Sequence, residues 1–124
     1  GPLGGLHAGL SLMADDTGFF TACDLPFLEP RLIRHMALLA PKADAVVPRI
    51  GPYVEPLHAL YHKRCVEPVL RAIRAGERRI VSFYPAVQVR YVEEREIRAF
   101  DPSLKAFTDI NRPEELRLSM EQEP

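Results

Sequence analysis

Between Gly18 and Asp24 the chain reads Gly-Phe-Phe-Thr-Ala-Cys-Asp, a short, almost wholly apolar run that ends on a carboxylate. Continuous apolarity without alternation predicts a strand covered on both faces, as in parallel sheets with helices on either side. Asp24-Leu25-Pro26 breaks the strand, and Glu29-Pro30 opens a helix that reaches about Leu39. In that helix Leu32, Ile33, Met36, Leu39 and Ala40 form one apolar stripe, and Pro41 stops it. Strand followed by helix is the unit from which α/β layers are built.

The rest of the chain continues the alternation. Leu6, Ala8, Leu10 and Met13 predict a short first helix, in which Gly5 and Gly9 are intrinsically unfavourable. Those glycines imply close packing against the helix or binding at its N-terminus. Gly1-Pro2-Leu3-Gly4 has the form of a protease-tag scar, although the apolar pattern runs on from it unbroken. Ala43 to Ile50 predicts a strand centred on Ala45-Val46-Val47, with a turn at Gly51-Pro52 and a further strand at Leu57 to Tyr61. Lys63 to Ala75 predicts a helix with Cys65, Val66, Val69, Leu70 and Ile73 inward, capped by Gly76 and disturbed by Pro68. Residues 79–84 fit strand or helix, and Val87 to Val92 fits a strand. A last helix is expected from Pro113, with Asn111 as its N-cap, and residues 119–124 form a polar tail. The pattern predicts one α/β domain with helices on both faces of a mostly parallel sheet.

Charge excludes some partners. Sixteen basic and 17 acidic residues leave a net charge of −1, so no global field favours nucleic acid or an anionic membrane. No apolar run approaches the ~20 residues of a membrane-spanning helix, and no secretory signal opens the chain. Cys23 and Cys65 lack CxxC spacing and read as reduced core thiols of a cytoplasmic protein.

In open α/β sheets, ligands bind beyond the carboxyl ends of the strands. Asp24 stands at such an end. A magnesium ion needs only one or two carboxylates, because phosphates and water fill its other positions. Asp24 therefore either holds a metal or caps the turn that follows. Asp109 and Asn111 precede the last helix, where capping is the plain reading of Asn111. His7, His35, His58 and His62 are scattered, and structural roles are expected for each; His58, opening a short strand after Pro56-Leu57, is the least ordinary. Arg64, Arg71, Arg74 and Arg78 recur at helical intervals, a stripe that meets either solvent or a phosphate. No Walker-type loop and no GxGxxG occurs.

Five segments in order resemble molybdenum cofactor guanylyltransferase. They are Gly1 to Leu10 (GPLGGLHAGL), Thr21 to Leu28 (TACDLPFL), Glu55 to Tyr61 (EPLHALY), Ala75 to Arg79 (AGERR) and Phe107 to Leu116 (FTDINRPEEL). The resemblance implies a Rossmann-like nucleotide-diphospho-sugar transferase fold, a three-layer α/β/α arrangement. It also implies transfer of GMP from GTP to molybdopterin with release of pyrophosphate. On that basis Asp24 matches the magnesium-binding aspartate, while Gly1, Pro2, Leu3 and Gly5 match the segment lying against the guanine nucleotide. Asp109 and Asn111 match a pair of asparagines on the molybdopterin side, the first of them replaced here by Asp.

The family's opening loop, of the type LAGGxSxRMGxDK, is not in this sequence. Residues 1–118 are thus expected to form the C-terminal part of the domain without its N-terminal strands, inactive alone and self-associating through the exposed strand edge or its exposed apolar face. Two alternatives stay open: a CTP-dependent or other nucleotidyltransferase of the same fold, and a non-catalytic dimerisation or docking module.

Overall fold

A computed structural model describes residues 1–22 and 27–107. Asp24, Asp109, Asn111, the expected terminal helix and the polar tail lie outside them.

Helix α1 spans Pro2–Leu12 and starts with proline in its first turn, where the missing N–H costs nothing. Leu3, Leu6 and Leu10 are all buried, the spacing of one helical face. Leu3 is only 1% exposed, so the opening Gly-Pro-Leu-Gly is an integral part of the fold and not an appendage. Strand β1 is Thr17–Thr21. Two glycines record how α1 lies on it. A Cβ on Gly9 would stand 2.6 Å from the Phe20 ring, and one on Gly18 would collide with the Met13 sulfur. Residues 9 and 13 thus meet residues 20 and 18, so α1 runs antiparallel to β1. The reason for Gly9 is close packing. Gly5 faces open space.

Helix α2 is Pro30–Leu39, with the Glu29 carboxylate accepting the Arg31 N–H at 3.1 Å. After a tight turn at Ala40–Lys42 the chain forms β2 (Ala45–Ile50), β3 (Tyr53–Val54) and β4 (His58–His62). Gly51 takes φ +57° ahead of Pro52, the Gly-first form of a two-residue hairpin turn. A short turn at Lys63–Cys65 leads into α3 (Val66–Arg74). Pro68 is accommodated because it falls in the first turn of α3, whose N–H groups lack intrahelical partners. Gly76, at φ +85°, ends the helix as expected: its N–H reaches the Ile73 carbonyl and the Glu77 N–H the Ala72 carbonyl, both at 3.0 Å.

Of residues 79–84, ambiguous in sequence, those from Ile80 on belong to a tight helical stretch at Ile80–Ala86, with Arg79 extended before it. Strand β5 is Val89–Glu93. Helix α4, Glu94–Phe100, follows it directly and is not foreshadowed by the sequence pattern. It has seven residues and buries only Ile97, too little to show a period. Its start is fixed by a reciprocal cap between Glu93 and Glu96, with glutamate in place of the usual serine or threonine.

The sheet runs β1-β4-β2-β3, with β5 also on β2. Mixed pairing replaces the mostly parallel sheet expected: β2·β5 is parallel, whereas β1·β4, β2·β4 and β2·β3 are antiparallel. The cause is the Gly51-Pro52 hairpin, which reverses the chain so that β4 returns between β1 and β2. Only β5, reached through a helical crossover, regains the direction of β2. Helices cover both faces, giving the three-layer α/β/α arrangement. On one side α1, α3 and residues 80–86 enclose Ala45, Val47, Ala59, Tyr61 and Phe20. On the other, α2 and α4 enclose Val46, Leu60, Val92 and Phe19.

Candidate functional site

Strands β1, β2 and β5 point the same way, so their carboxyl ends share one edge of the sheet. Thr21 pairs with His58 across the ladder, and the Ala22 N–H reaches the Leu57 carbonyl at 3.2 Å, one residue further. These bonds fix the backbone up to two residues before Asp24. Because α1 runs antiparallel to β1, its N-terminus lies toward this same edge. The first turn of α1, whose N–H groups have no intrahelical partner, and the end of β1 therefore share one end of the domain.

At the start of α1 an open cleft of about 310 Å³ is lined by Gly1, Leu3, Gly4, Ile73, Glu77 and Arg78. Of the residues singled out in the sequence, Gly1 and Leu3 line the cleft. Pro2 and Gly5 sit on the exposed side of the same turn. The Leu3 side chain is a core anchor, which leaves its main chain as the part available to a ligand. Gly4, Ile73, Glu77 and Arg78 join these residues through the α1–α3 packing. Of these four, only Arg78 carries a ligand-binding signal in the sequence, as the last member of the arginine stripe.

That stripe does not act as a unit. Arg64 is spent on structure: its Nε donates to Asp44 at 2.7 Å, and Asp44 also accepts the Gln88 N–H at 2.9 Å. The Gln88 N–H first, and then the Arg64 guanidinium, hold the Asp44 carboxyl below its ordinary range. Arg71 and Arg74 are exposed on α3, while Arg78 lies past the Gly76 cap and reaches the cleft.

The histidines divide as well. The ring of His62 accepts the Arg64 N–H at 2.9 Å and so caps the turn into α3. His35 contacts Glu96 at 3.1 Å and stacks on Phe100, 4.9 Å between centroids. His58 is fully buried. Burial also pushes the Cys65 thiol up to about 12, which makes it a core group and not a nucleophile. Among the described residues no group of three histidines, cysteines or carboxylates stands close enough to hold a metal ion. None of their helices is long and apolar enough to cross a membrane.

Residues 1–90 match the family model described as the MobA-like NTP transferase domain. The chain belongs to this family. Among its relatives, a probable molybdenum cofactor guanylyltransferase of Pelotomaculum thermopropionicum is 39% identical over 94% of this chain and 57% of its own length. A molybdenum cofactor guanylyltransferase of Desulfosudis oleivorans is 38% identical, over 94% of this chain and 58% of the relative. The crystal structure of molybdopterin-guanine dinucleotide biosynthesis protein A from Archaeoglobus fulgidus superposes with a TM-score of 0.78 at 30% identity. That match covers 96% of this chain and 60% of the other. The sequence thus spans less than two thirds of the length of these relatives, and the resemblance read from its five segments is borne out at the level of the family.

Proposed function

We propose that this chain is part of a nucleotidyltransferase that transfers GMP from GTP to molybdopterin and releases pyrophosphate. The observation that carries the reading is the shared edge: the cleft at the N-terminus of α1 and the end of β1 leading to Asp24 face the same end of the sheet. Relatives named as guanylyltransferases over nearly the whole of this chain support it.

In this reading the main chain at Gly1, Pro2, Leu3 and Gly5 lies against the nucleotide. The helix N-terminus favours its negative charge, and Arg78 adds a guanidinium at the rim. Magnesium would be held by Asp24 together with substrate phosphates and water, a set that one carboxylate completes. When bound, it neutralises charge on the triphosphate. Asp109 and Asn111 serve the molybdopterin side. The reaction is set in the cytoplasm. Self-association through the edge of β1 opposite β4 is part of the proposal; a clean monomer in sedimentation at micromolar concentration counts against it.

Calorimetric titration of GTP with Mg²⁺ tests the assignment, on this chain and on this chain extended by the family's glycine-rich loop. Binding by the extended protein, lost on Asp24→Ala, is the expected result. Binding by neither protein refutes it in favour of a docking module, and equal affinity for CTP refutes the choice of base.

A further inference from the structure

His58 is 1% exposed, and among the described residues neither of its ring nitrogens has a hydrogen-bond partner. Leaving a buried polar group unpaired is costly, so its retention in the core calls for an explanation. The ring sits between two aromatic neighbours. Phe19 of β1 meets it edge-on at 5.1 Å, and Phe107 lies on it at 4.7 Å with the planes 47° apart. Phe107 closes the helical turn Lys105–Phe107, whose shape is set by Asp101. Both Asp101 carboxylate oxygens are engaged, accepting the Lys105 and Ala106 N–H groups at 2.9 Å each. The Asp101 carbonyl accepts the Leu104 N–H at 3.0 Å. The chain is therefore clamped by Asp101 and seated through Phe107, two residues before Asp109 and four before Asn111.

We propose that His58 is a proton-operated latch: neutral, it seats Phe107 and with it the turn Lys105–Phe107, and protonated, it releases that seat. An imidazolium buried between two phenyl rings, with no side-chain acceptor in hydrogen-bond contact among the described residues, is strongly disfavoured. Burial accordingly pushes the ring below its ordinary 6.5, while its own main chain and the Asp101 carboxylate oppose the shift without cancelling it. Among the described residues, the groups facing the ring offer no other rescue. Phe19 and Phe107 are uncharged, Lys105 is exposed on the outside of the turn, and Asp101 already spends both oxygens on main-chain donors.

The sign follows. A histidine whose folded form resists protonation contributes nothing adverse above 6.5, and the docked state is lost as pH falls below that value. An opened state that binds the proton normally gains about elevenfold over the docked one at pH 5.5, the factor 1 + 10^(6.5 − 5.5) for a docked ring that stays neutral.

Amide hydrogen exchange at Ala106 and Phe107, corrected for the intrinsic pH dependence of exchange, tests this on the 124-residue chain. Protection is expected to fall about tenfold between pH 7.5 and 5.5. In His58→Phe, or in His58→Leu if the larger ring overpacks, the fall should vanish. Unchanged protection in the parent chain overturns the proposal, and so does an equal fall in a folded variant. Should neither variant fold, the ring proton shifts of His58 decide: titration near 6.5 without loss of protection overturns the latch. Exchange at residues 106 and 107 does not depend on the proposed function, so either can fail alone.

Discussion

Replacing Glu96 by glutamine should destabilise the protein by about 1–2 kcal/mol at pH 7 and by much less in acid. Glu96 joins three elements. Its two oxygens accept Arg90 of β5 at 2.8 and 3.0 Å, one of them contacts His35 of α2 at 3.1 Å, and the carboxylate closes the cap of α4. Arg90 first, against an opposing burial cost, draws the Glu96 carboxyl down from 4.5 to about 2. At about 1.4 kcal/mol per pH unit that shift is nominally about 3.4 kcal/mol. The side chain is 29% exposed, so solvent screening reduces the figure to about 1–2 kcal/mol.

A carboxyl depressed in the folded state stabilises above 4.5, and that contribution fades as pH falls toward 2. At pH 3, about three-fifths of it is gone by the same linkage relation. Glutamine keeps the shape and still serves in a capping box, so Glu96→Gln isolates the charge. Urea unfolding at pH 7 and pH 3 reads both quantities. The gap between parent and variant should shrink by more than half at pH 3. A gap under about 0.5 kcal/mol at pH 7, or one of equal size at both pH values, refutes the reasoning.

Other substitutions test separate parts of the account. Gly76→Ala forces a Cβ into φ +85° and should cost about 1–2 kcal/mol by thermal melting, whereas Ala at an ordinary helix end costs nothing. In a Cys23→Ser background, Cys65 should react with a thiol reagent at the rate of global unfolding, because it is buried and its thiol is pushed up to about 12. Arg78→Ala should weaken GTP binding about tenfold with little change in melting temperature, while Arg71→Ala on the exposed face of α3 should leave binding unchanged.

Much of the fold is legible in the residues themselves because its signals are local. Helix α2 announces its limits with Glu29-Pro30 and Pro41, α3 ends where Gly76 permits a left-handed turn, and β2 and β4 stand out as apolar runs around Val46 and Leu60. The family is legible too, in five ordered segments. Strand partners are not, since a run such as Phe19-Phe20 is equally apolar beside a parallel or an antiparallel neighbour. Its pairing with β4 follows from a hairpin more than 25 residues away. Helix α4 escaped notice because a seven-residue helix with one buried side chain carries no period, and its stability comes from Glu96 reaching Arg90 and His35.

The same division runs through the site. The sequence singles out Gly1, Pro2, Leu3 and Gly5 and the arginine stripe. Only packing of α1 on α3 decided that Arg78 shares a cleft with Gly1 and Gly4 while Arg64 is bound to Asp44. His58 was marked merely as unusual. The Phe107 ring upon it comes from a residue 49 positions away, a contact that no local pattern encodes and only the closed tertiary structure brings about.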